Sequence, residues 1–388
     1  MSAITCLHPG TSSAAENRSL PHVLIVVDQF PRSLGGGERI VLKLAALLPS
    51  YGYRVSILTF AAHPDSPALI APPCPIYLLP LQRTYDLTAL RAAINLRRFI
   101  REQDIRIVQT FFESSDIWAG FVTRVMSNAK LIWSRRDMGI LRSGKHHIAY
   151  RLMARMPHAV FAVSNLVRQH CIEVDRIAPA RVQTIYNGLN LSDWLAPSDT
   201  PRASTHPIIT TAGNIRHVKG HDIFIRAAAI VVQQFPNAQF SIAGEVLEPD
   251  YFASLQALIP ELNLSENFTL LGGIKDLRSH LASADIFVLP SRSEGFSNAI
   301  VEAMAAALPV VATNVGGNAE AIETGVSGFI VPPEDPAALA AAILRLLSNL
   351  EAARAMGLEG KRLAAEKFTN EAMMLSTTNT YAKLLAGR

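Results

Sequence analysis

Apolar residues along this chain fall into short runs separated by stretches with helical spacing, and that alternation predicts most of the architecture. HVLIVVD (22–28), RVSILTF (54–60), IRIVQT (105–110), KLIWS (130–134), AVFAVS (159–164) and VQTIYN (182–187) read as buried strands. Helical stretches near 86–102, 115–127, 146–156 and 164–173 lie between most of them. A Gly-rich turn after the first run opens a helix reaching about residue 48. Strand, helix, strand at this spacing predicts a parallel sheet with helices on both faces.

The segment around 196–206 is rich in Pro, Ser and Thr and has little to bury, so it reads as an interdomain linker. The rhythm then resumes with IITTAG (208–213), AQFSIAG (238–244), FTLLG (268–272), DIFVLPS (285–291), PVVAT (309–313) and GFIV (328–331). Helices from about 336 to 367 close this half. The expected organisation is a loose tail over 1–20, a doubly wound α/β domain over 21–195, a second over 207–370, and a final helix over 371–388 packing back on the first domain. Open sheets of this kind bind ligands at the carboxyl ends of their strands. Two such domains facing each other predict a site in the cleft between them.

A chain of 388 residues suits two domains of nearly equal size, and 49% hydrophobic content leaves ample core material. No stretch approaches the roughly 18 to 20 uninterrupted apolar residues of a membrane span. Residues 1–20 lack the basic start and apolar run of a secretory signal. Three scattered cysteines, Cys6, Cys74 and Cys171, fit neither a disulfide framework nor a zinc site, which favours a reducing cytoplasm. The net charge of +4 is uneven: residues 1–195 hold 22 Lys/Arg against 13 Asp/Glu, and residues 196–388 hold 14 against 19. Within 124–155, eight Lys/Arg face only Asp137. Such a run can meet an anionic membrane surface or a lipid-linked pyrophosphate, or be a plain solvated helix face. No nucleic-acid-binding motif accompanies it.

The segment SRSEGFSNAIVEAMAAALPVVAT (291–313) carries the strongest chemical signal. A strand ends at Ser291, a loop carries Glu294, Gly295 and Phe296, and a nearly all-apolar helix begins near Ser297 and Asn298. The free N–H groups and positive dipole end of a buried helix start favour a phosphate. Glu302 lies one turn beyond Asn298, about 6 Å along the axis, and suits hydroxyls next to that phosphate. In the first half, Gly36 and Gly37 let backbone approach a ligand closely. The dinucleotide fingerprint G-x-G-x-x-G fails there, because Ile40 stands where its last glycine belongs.

Glu294 and Glu302, with seven residues between them, resemble the paired-glutamate signature of glycosyltransferase family 4, whose fold is GT-B: two Rossmann-like doubly wound parallel-sheet domains facing a cleft. The resemblance runs from about 22 to 385. It takes in Gly35, Gly36, Gly37 and Glu38, AVSNLVRQH (162–170), IYNGLNLSDW (185–194), GNIRHVKG (213–220), ADIFVLPS (284–291) and GGNAEAIETGVSGFIVPPED (316–335). It implies an N-terminal acceptor-binding domain and a C-terminal domain that binds a nucleotide-diphosphate sugar. Glu302 would bind the ribose hydroxyls and Glu294 the transferred sugar. Gly295, Phe296, Ser297 and Asn298 would cradle the phosphates, with Lys219 on the pyrophosphate. The implied donor set also includes Gly36, Gly37, Gly213 and Gly244. Where the family often has an arginine after the glycine matching Gly213, this chain has Asn214, and Arg216 can reach the same phosphate. The histidine frequent at the end of the strand at 105–109 is missing. Gln109, Thr110, Glu113 and Asp116 are the local polar candidates, and Arg135 and Arg136 are candidates for the acceptor side.

The resemblance further implies retention of anomeric configuration through a transition state with oxocarbenium character. Glu294, Lys219 and Arg216 would carry the catalysis, the two cations stabilising the departing diphosphate. No Asp-x-Asp occurs, so neither a required metal nor another cofactor is expected. The acceptor would be a sugar or lipid-linked sugar in polysaccharide, lipopolysaccharide or glycolipid synthesis, met in the cytoplasm or at the inner membrane face. Two rivals stay open: a sugar-nucleotide epimerase of the same fold, and a non-catalytic nucleotide-sugar-binding subunit.

Overall fold

The computed structural model describes residues 4–10, 19–81, 86–139, 144–194 and 206–387. They divide into two compact units, Met1–Tyr186 with Glu371–Arg388, and Asn187–Asn370. The segment expected to be a linker lies, but for His206, outside the described residues. The division instead falls at Tyr186, so that residues 187–194 belong to the second unit.

The first unit is built on an eight-stranded sheet. Its strands are β1 (Thr5–His8), β2 (His22–Phe30), β3 (Arg54–Ala62), β4 (Ile76–Leu78), β5 (Ile105–Phe111), β6 (Lys130–Arg135), β7 (Ala159–Ala162) and β8 (Val182–Thr184). They are ordered β1-β4-β3-β2-β5-β6-β7-β8. Every pairing from β4 to β8 is parallel, and β1 joins the edge antiparallel to β4. Val23 to Val27 of β2 are fully buried, which is why the central strands read as unbroken apolar runs. The helices are α1 (Gly36–Leu47), α2 (Leu87–Glu102), α3 (Gly120–Met126), α4 (Gly144–Met153) and α5 (Asn165–Glu173). β1 corrects the loose tail expected over 1–20: residues 5–8 are tied down by an edge strand flanked by Pro72, Pro73, Pro75 and Pro80. The helix expected over 115–127 also differs, because it opens as one π-turn, Ser115–Ala119. There Asp28 accepts from the Ser114 and Ser115 N–H groups at 3.0 and 2.6 Å and sets the entry of the chain.

The second unit holds β9 (Ile208–Ala212), β10 (Gln239–Ala243), β11 (Phe268–Gly272), β12 (Ile286–Leu289), β13 (Val310–Thr313) and β14 (Gly328–Val331). The order is β11-β10-β9-β12-β13-β14, all parallel. The helices are α6 (His221–Val231), α7 (Pro249–Glu261), α8 (Leu277–Ala282), α9 (Asn298–Ala305), α10 (Asn318–Ala321), α11 (Pro336–Leu347) and α12 (Leu350–Lys367). α13 (Asn370–Leu385) carries the chain back to the first unit. There Tyr381 is buried edge-on to Tyr53 and donates its hydroxyl to Gln109 Oε1. No single helix among the described residues is long and apolar enough to cross a membrane.

Candidate functional site

In the second unit the loops after β9 and β12 are clipped together. β9 ends at Ala212, Gly213 follows it, and a 3-10 turn over His217–Lys219 leads through Gly220, at φ +65, into α6. A Cβ on Gly220 would stand 2.1 Å from the Pro290 carbonyl oxygen, so only glycine lets these loops touch. Arg292 N–H donates to Val218 O at 2.8 Å. Its guanidinium grips Asp222 through two 2.8 Å bonds and pairs with Glu334 at 2.5 Å. Burial alone would raise the Asp222 carboxyl; the Arg292 and Tyr251 hydrogen bonds outweigh it and hold it at about 2.

This clip brings two of the expected residues together. Lys219 Nζ donates to Glu294 Oε1 at 2.6 Å, and Ser291 Oγ donates to the same oxygen at 2.7 Å. The lysine stem lies over Gly213, where an added Cβ would meet its Cδ and Cε at 3.8 Å. On the other side, Gly316 (φ +55) leaves room for the Glu294 carbonyl, which a Cβ would approach to 1.9 Å. The Gly317 N–H donates to Gly295 O at 2.9 Å. The loop then enters α9 through Ser297, which is buried and makes no side-chain cap, so the first N–H groups of the helix have no intrahelical acceptor. Phe296 packs on Phe368 at 5.2 Å, Asn298 Oδ1 accepts from Asn187 Nδ2 at 2.6 Å, and Glu302 is half-buried one turn along.

Other expected donor residues play different parts. Arg216 turns to Glu248 at 3.3 Å, an exposed pair that ligand binding can release cheaply. Asn214 gives its carbonyl to His221 Nε2 at 3.4 Å. Gly244 is scaffolding, since a Cβ there would lie 1.9 Å from Gly213 O. In the first unit, Gly36 is the exposed first residue of α1, and Gly37 makes room for the Phe112 ring, which a Cβ would approach to 2.6 Å. Ser291, Gly316 and Gly317 escaped the sequence reading as site residues. The run of polar and glycine residues flanking Glu294 was the available signal.

The candidates of the first unit gather at the carboxyl ends of β5 and β6, but mostly inside the protein. Gln109 is buried and engaged at both ends of its amide, donating to Ser134 Oγ at 2.7 Å and accepting from Tyr381. Asp116 accepts from Thr110 Oγ1 and, at 2.9 Å, from the Tyr150 hydroxyl. The Arg135 guanidinium lies between Asp116 and Asp175 at 3.8 and 3.7 Å and covers the Tyr150 ring at 4.4 Å. Burial pushes the Asp116 carboxyl well above the usual range, with Arg135 opposing. A small recess lies here, lined by Phe112, Glu113, Asp116, Ser134, Arg135, Arg136, Asp137 and Tyr150. Phe112 sits at φ +75, a left-handed conformation uncommon outside glycine. Burial lowers Arg136 to about 10, with Asp137 opposing. Among the described residues no three of His, Cys, Asp and Glu gather closely enough to hold a metal ion.

Two doubly wound parallel sheets of this order define the GT-B fold class. The Anabaena protein HepE, solved in complex with UDP, superposes with a TM-score of 0.83 over 93% of this chain and 100% of its own, at 21% identity. A glycosyltransferase from Rickettsia africae gives 0.81 over 94% and 99%, at 22% identity. The family described as Glycosyltransferase Family 4 matches residues 34–193, and Glycosyl transferases group 1 matches residues 206–349. The chain belongs to glycosyltransferase family 4. Among curated relatives, D-inositol 3-phosphate glycosyltransferase of Mycobacterium marinum is 32% identical over 238 residues, 56% of this chain and 49% of the relative. The lipopolysaccharide core biosynthesis mannosyltransferase LpcC of Rhizobium leguminosarum is 33% identical over 175 residues, 45% and 50% of the two chains. The chain thus spans about half the length of these curated relatives.

Proposed function

We propose that this chain is a retaining glycosyltransferase that moves a sugar from a UDP- or GDP-sugar to an acceptor hydroxyl in polysaccharide, lipopolysaccharide or glycolipid synthesis. The observation that carries the reading is the 2.6 Å contact of Lys219 with Glu294 in a glycine-walled loop cluster that runs into the start of α9. An ammonium and unpaired helix N–H groups are what a diphosphate needs. In this reading Lys219 leaves Glu294 for the pyrophosphate and offsets the charge that grows on the leaving nucleotide. Arg216, released from Glu248, adds a second cation. Glu294, still held by Ser291, takes hydroxyls of the transferred sugar, and Glu302 takes those of the ribose. In this reading the chemistry needs no metal, because these two cations supply the positive charge that a divalent ion would otherwise bring. The acceptor is a sugar or lipid-linked sugar reached from the cytoplasm, at an anionic membrane surface.

A panel of UDP- and GDP-sugars screened by thermal shift tests the donor. At a hundredfold excess over its Kd, a true donor stabilises the fold by roughly 2.7 kcal/mol. Donor consumption that depends on added acceptor supports transfer. Equal consumption without acceptor points to epimerisation, and no stabilisation by any nucleotide-sugar sinks the assignment.

A further inference from the structure

α2, α3 and α4 cover one face of the first sheet. Ala92 and Leu96 of α2 and Val122 of α3 share a core cluster with Leu24, Val26 and Val108 of the sheet. Gly120 of α3 lies against Trp133 of β6, and Tyr150 of α4 packs edge-on to the same ring at 5.3 Å. The outward stripes of these three helices are unusual for a surface in water. α2 exposes Leu87, Leu90 and Ile94, α3 exposes Phe121 and Val125, and α4 exposes Ile148 and Leu152. Leu152 is 79% exposed, Leu87 76% and Ile148 62%. Scattered apolar residues on a surface need no explanation, but a grouping on neighbouring helices does.

The polar residues of the same stripes have one sign. Arg91, Arg97, Arg98 and Arg101 follow the leucines along α2, Arg124 stands between Phe121 and Val125, and Lys145 precedes Ile148 by three. α3 and α4 carry no acidic residue, and the only one within α2 is Glu102 at its last position. Apolar side chains interleaved with guanidinium groups on one helical face match the boundary of a bilayer. There the apolar groups enter the acyl region while cations meet the headgroup phosphates. A protein partner would have to supply a matching acidic and apolar surface, whereas an anionic lipid leaflet supplies both at every point.

We propose that the α2–α3–α4 face docks this chain on an anionic lipid bilayer through inserted Leu, Ile, Phe and Val side chains and peripheral arginines. The proposal deepens the membrane clause of the function above by naming the surface, and it does not depend on the donor site. The test is co-sedimentation with sucrose-loaded phosphatidylcholine vesicles, with and without phosphatidylglycerol, alongside donor turnover with a water-soluble acceptor. The wild type should bind only the anionic vesicles and release with salt. Arg97→Gln/Arg98→Gln should weaken binding by at least roughly tenfold, since each cation near such a surface is worth roughly fivefold. Ile148→Ser/Leu152→Ser should weaken it at constant net charge, with melting temperature and soluble turnover unchanged. Binding by the serine variant equal to wild type, or none by the wild type, overturns the proposal. So does a solution dimer that the serine variant dissolves, which would make the face a contact between copies. Each of these leaves soluble turnover intact, so failed docking is told apart from a failed function.

Discussion

At the carboxyl ends of its strands the second unit keeps an ion pair within reach of a ligand, whereas the first unit locks one away. The side chains of Lys219 and Glu294 are 25% and 10% exposed, while those of Arg135 and Asp116 are 4% and 1%. Both pairs sit where open α/β sheets bind ligands, so position alone does not separate them. Solvent access does. A partly hydrated lysine can trade its carboxylate for a phosphate at little cost, but an arginine held between Asp116, Asp175 and the Tyr150 ring cannot leave without stranding buried charge. Arg135 therefore orders the inner side of the recess, and the half-buried Glu113, Arg136 and Asp137 are the lining groups that the proposed acceptor would meet.

The largest effect that would break this contrast is on stability. Arg135→Ala should cost about 3–5 kcal/mol, because it removes the buried cation that lies between the Asp116 and Asp175 carboxylates. Chemical denaturation measures it, and a loss below about 1 kcal/mol would mean the cluster is not structural. A smaller effect belongs to the second unit. Gly316→Ala adds a Cβ at φ +55 within 1.9 Å of the Glu294 carbonyl, so it should cost about 1–3 kcal/mol and raise KM for the donor by shifting Glu294. Its control is Gly52→Ala in the first unit. That residue has φ +83 but nothing within 4 Å, so the substitution should cost about 1 kcal/mol and leave KM alone. Equal KM changes in the two variants would contradict the site.

Mild acid is where the units should behave alike. Burial lowers both His22 in the first unit and His221 in the second to about 4, from 6.5. The folded chain therefore holds fewer protons than the unfolded one between those values. The stability from each imidazole is complete above about 6.5 and is lost as pH falls through 4. Between pH 6.5 and 5 the loss should be on the order of 1–2 kcal/mol per histidine. Melting curves across that range check it, with His22→Gln and His221→Gln each flattening the slope.

Much of this was legible in the sequence, and the exceptions have physical causes. The central strands announce themselves because parallel strands buried on both faces must be continuously apolar, as 22–28 and 285–291 are. β1 and β4 are too short to show a period and are framed by prolines. The π-turn at Ser115 depends on Asp28, 86 residues away from Ser114, and no local pattern reports it. The same holds in the loops around Lys219. The residue types at 213–220 and 291–302 suggest a phosphate site, but the contact of Lys219 with Glu294 and the scaffolding duty of Gly244 and Gly220 exist only once distant backbones cross. A buried polar residue also looks the same in sequence as an accessible one, which is why Gln109, Thr110 and Arg135 read as acceptor candidates and prove to be internal.

The most direct test is calorimetric titration of UDP and GDP into the wild type, Lys219→Ala and Tyr150→Phe. The account predicts that Lys219→Ala weakens the preferred nucleotide by at least roughly tenfold, the loss of one charge-assisted contact to a phosphate, while Tyr150→Phe binds as the wild type does. Undiminished binding by Lys219→Ala, or binding lost in Tyr150→Phe, would contradict it.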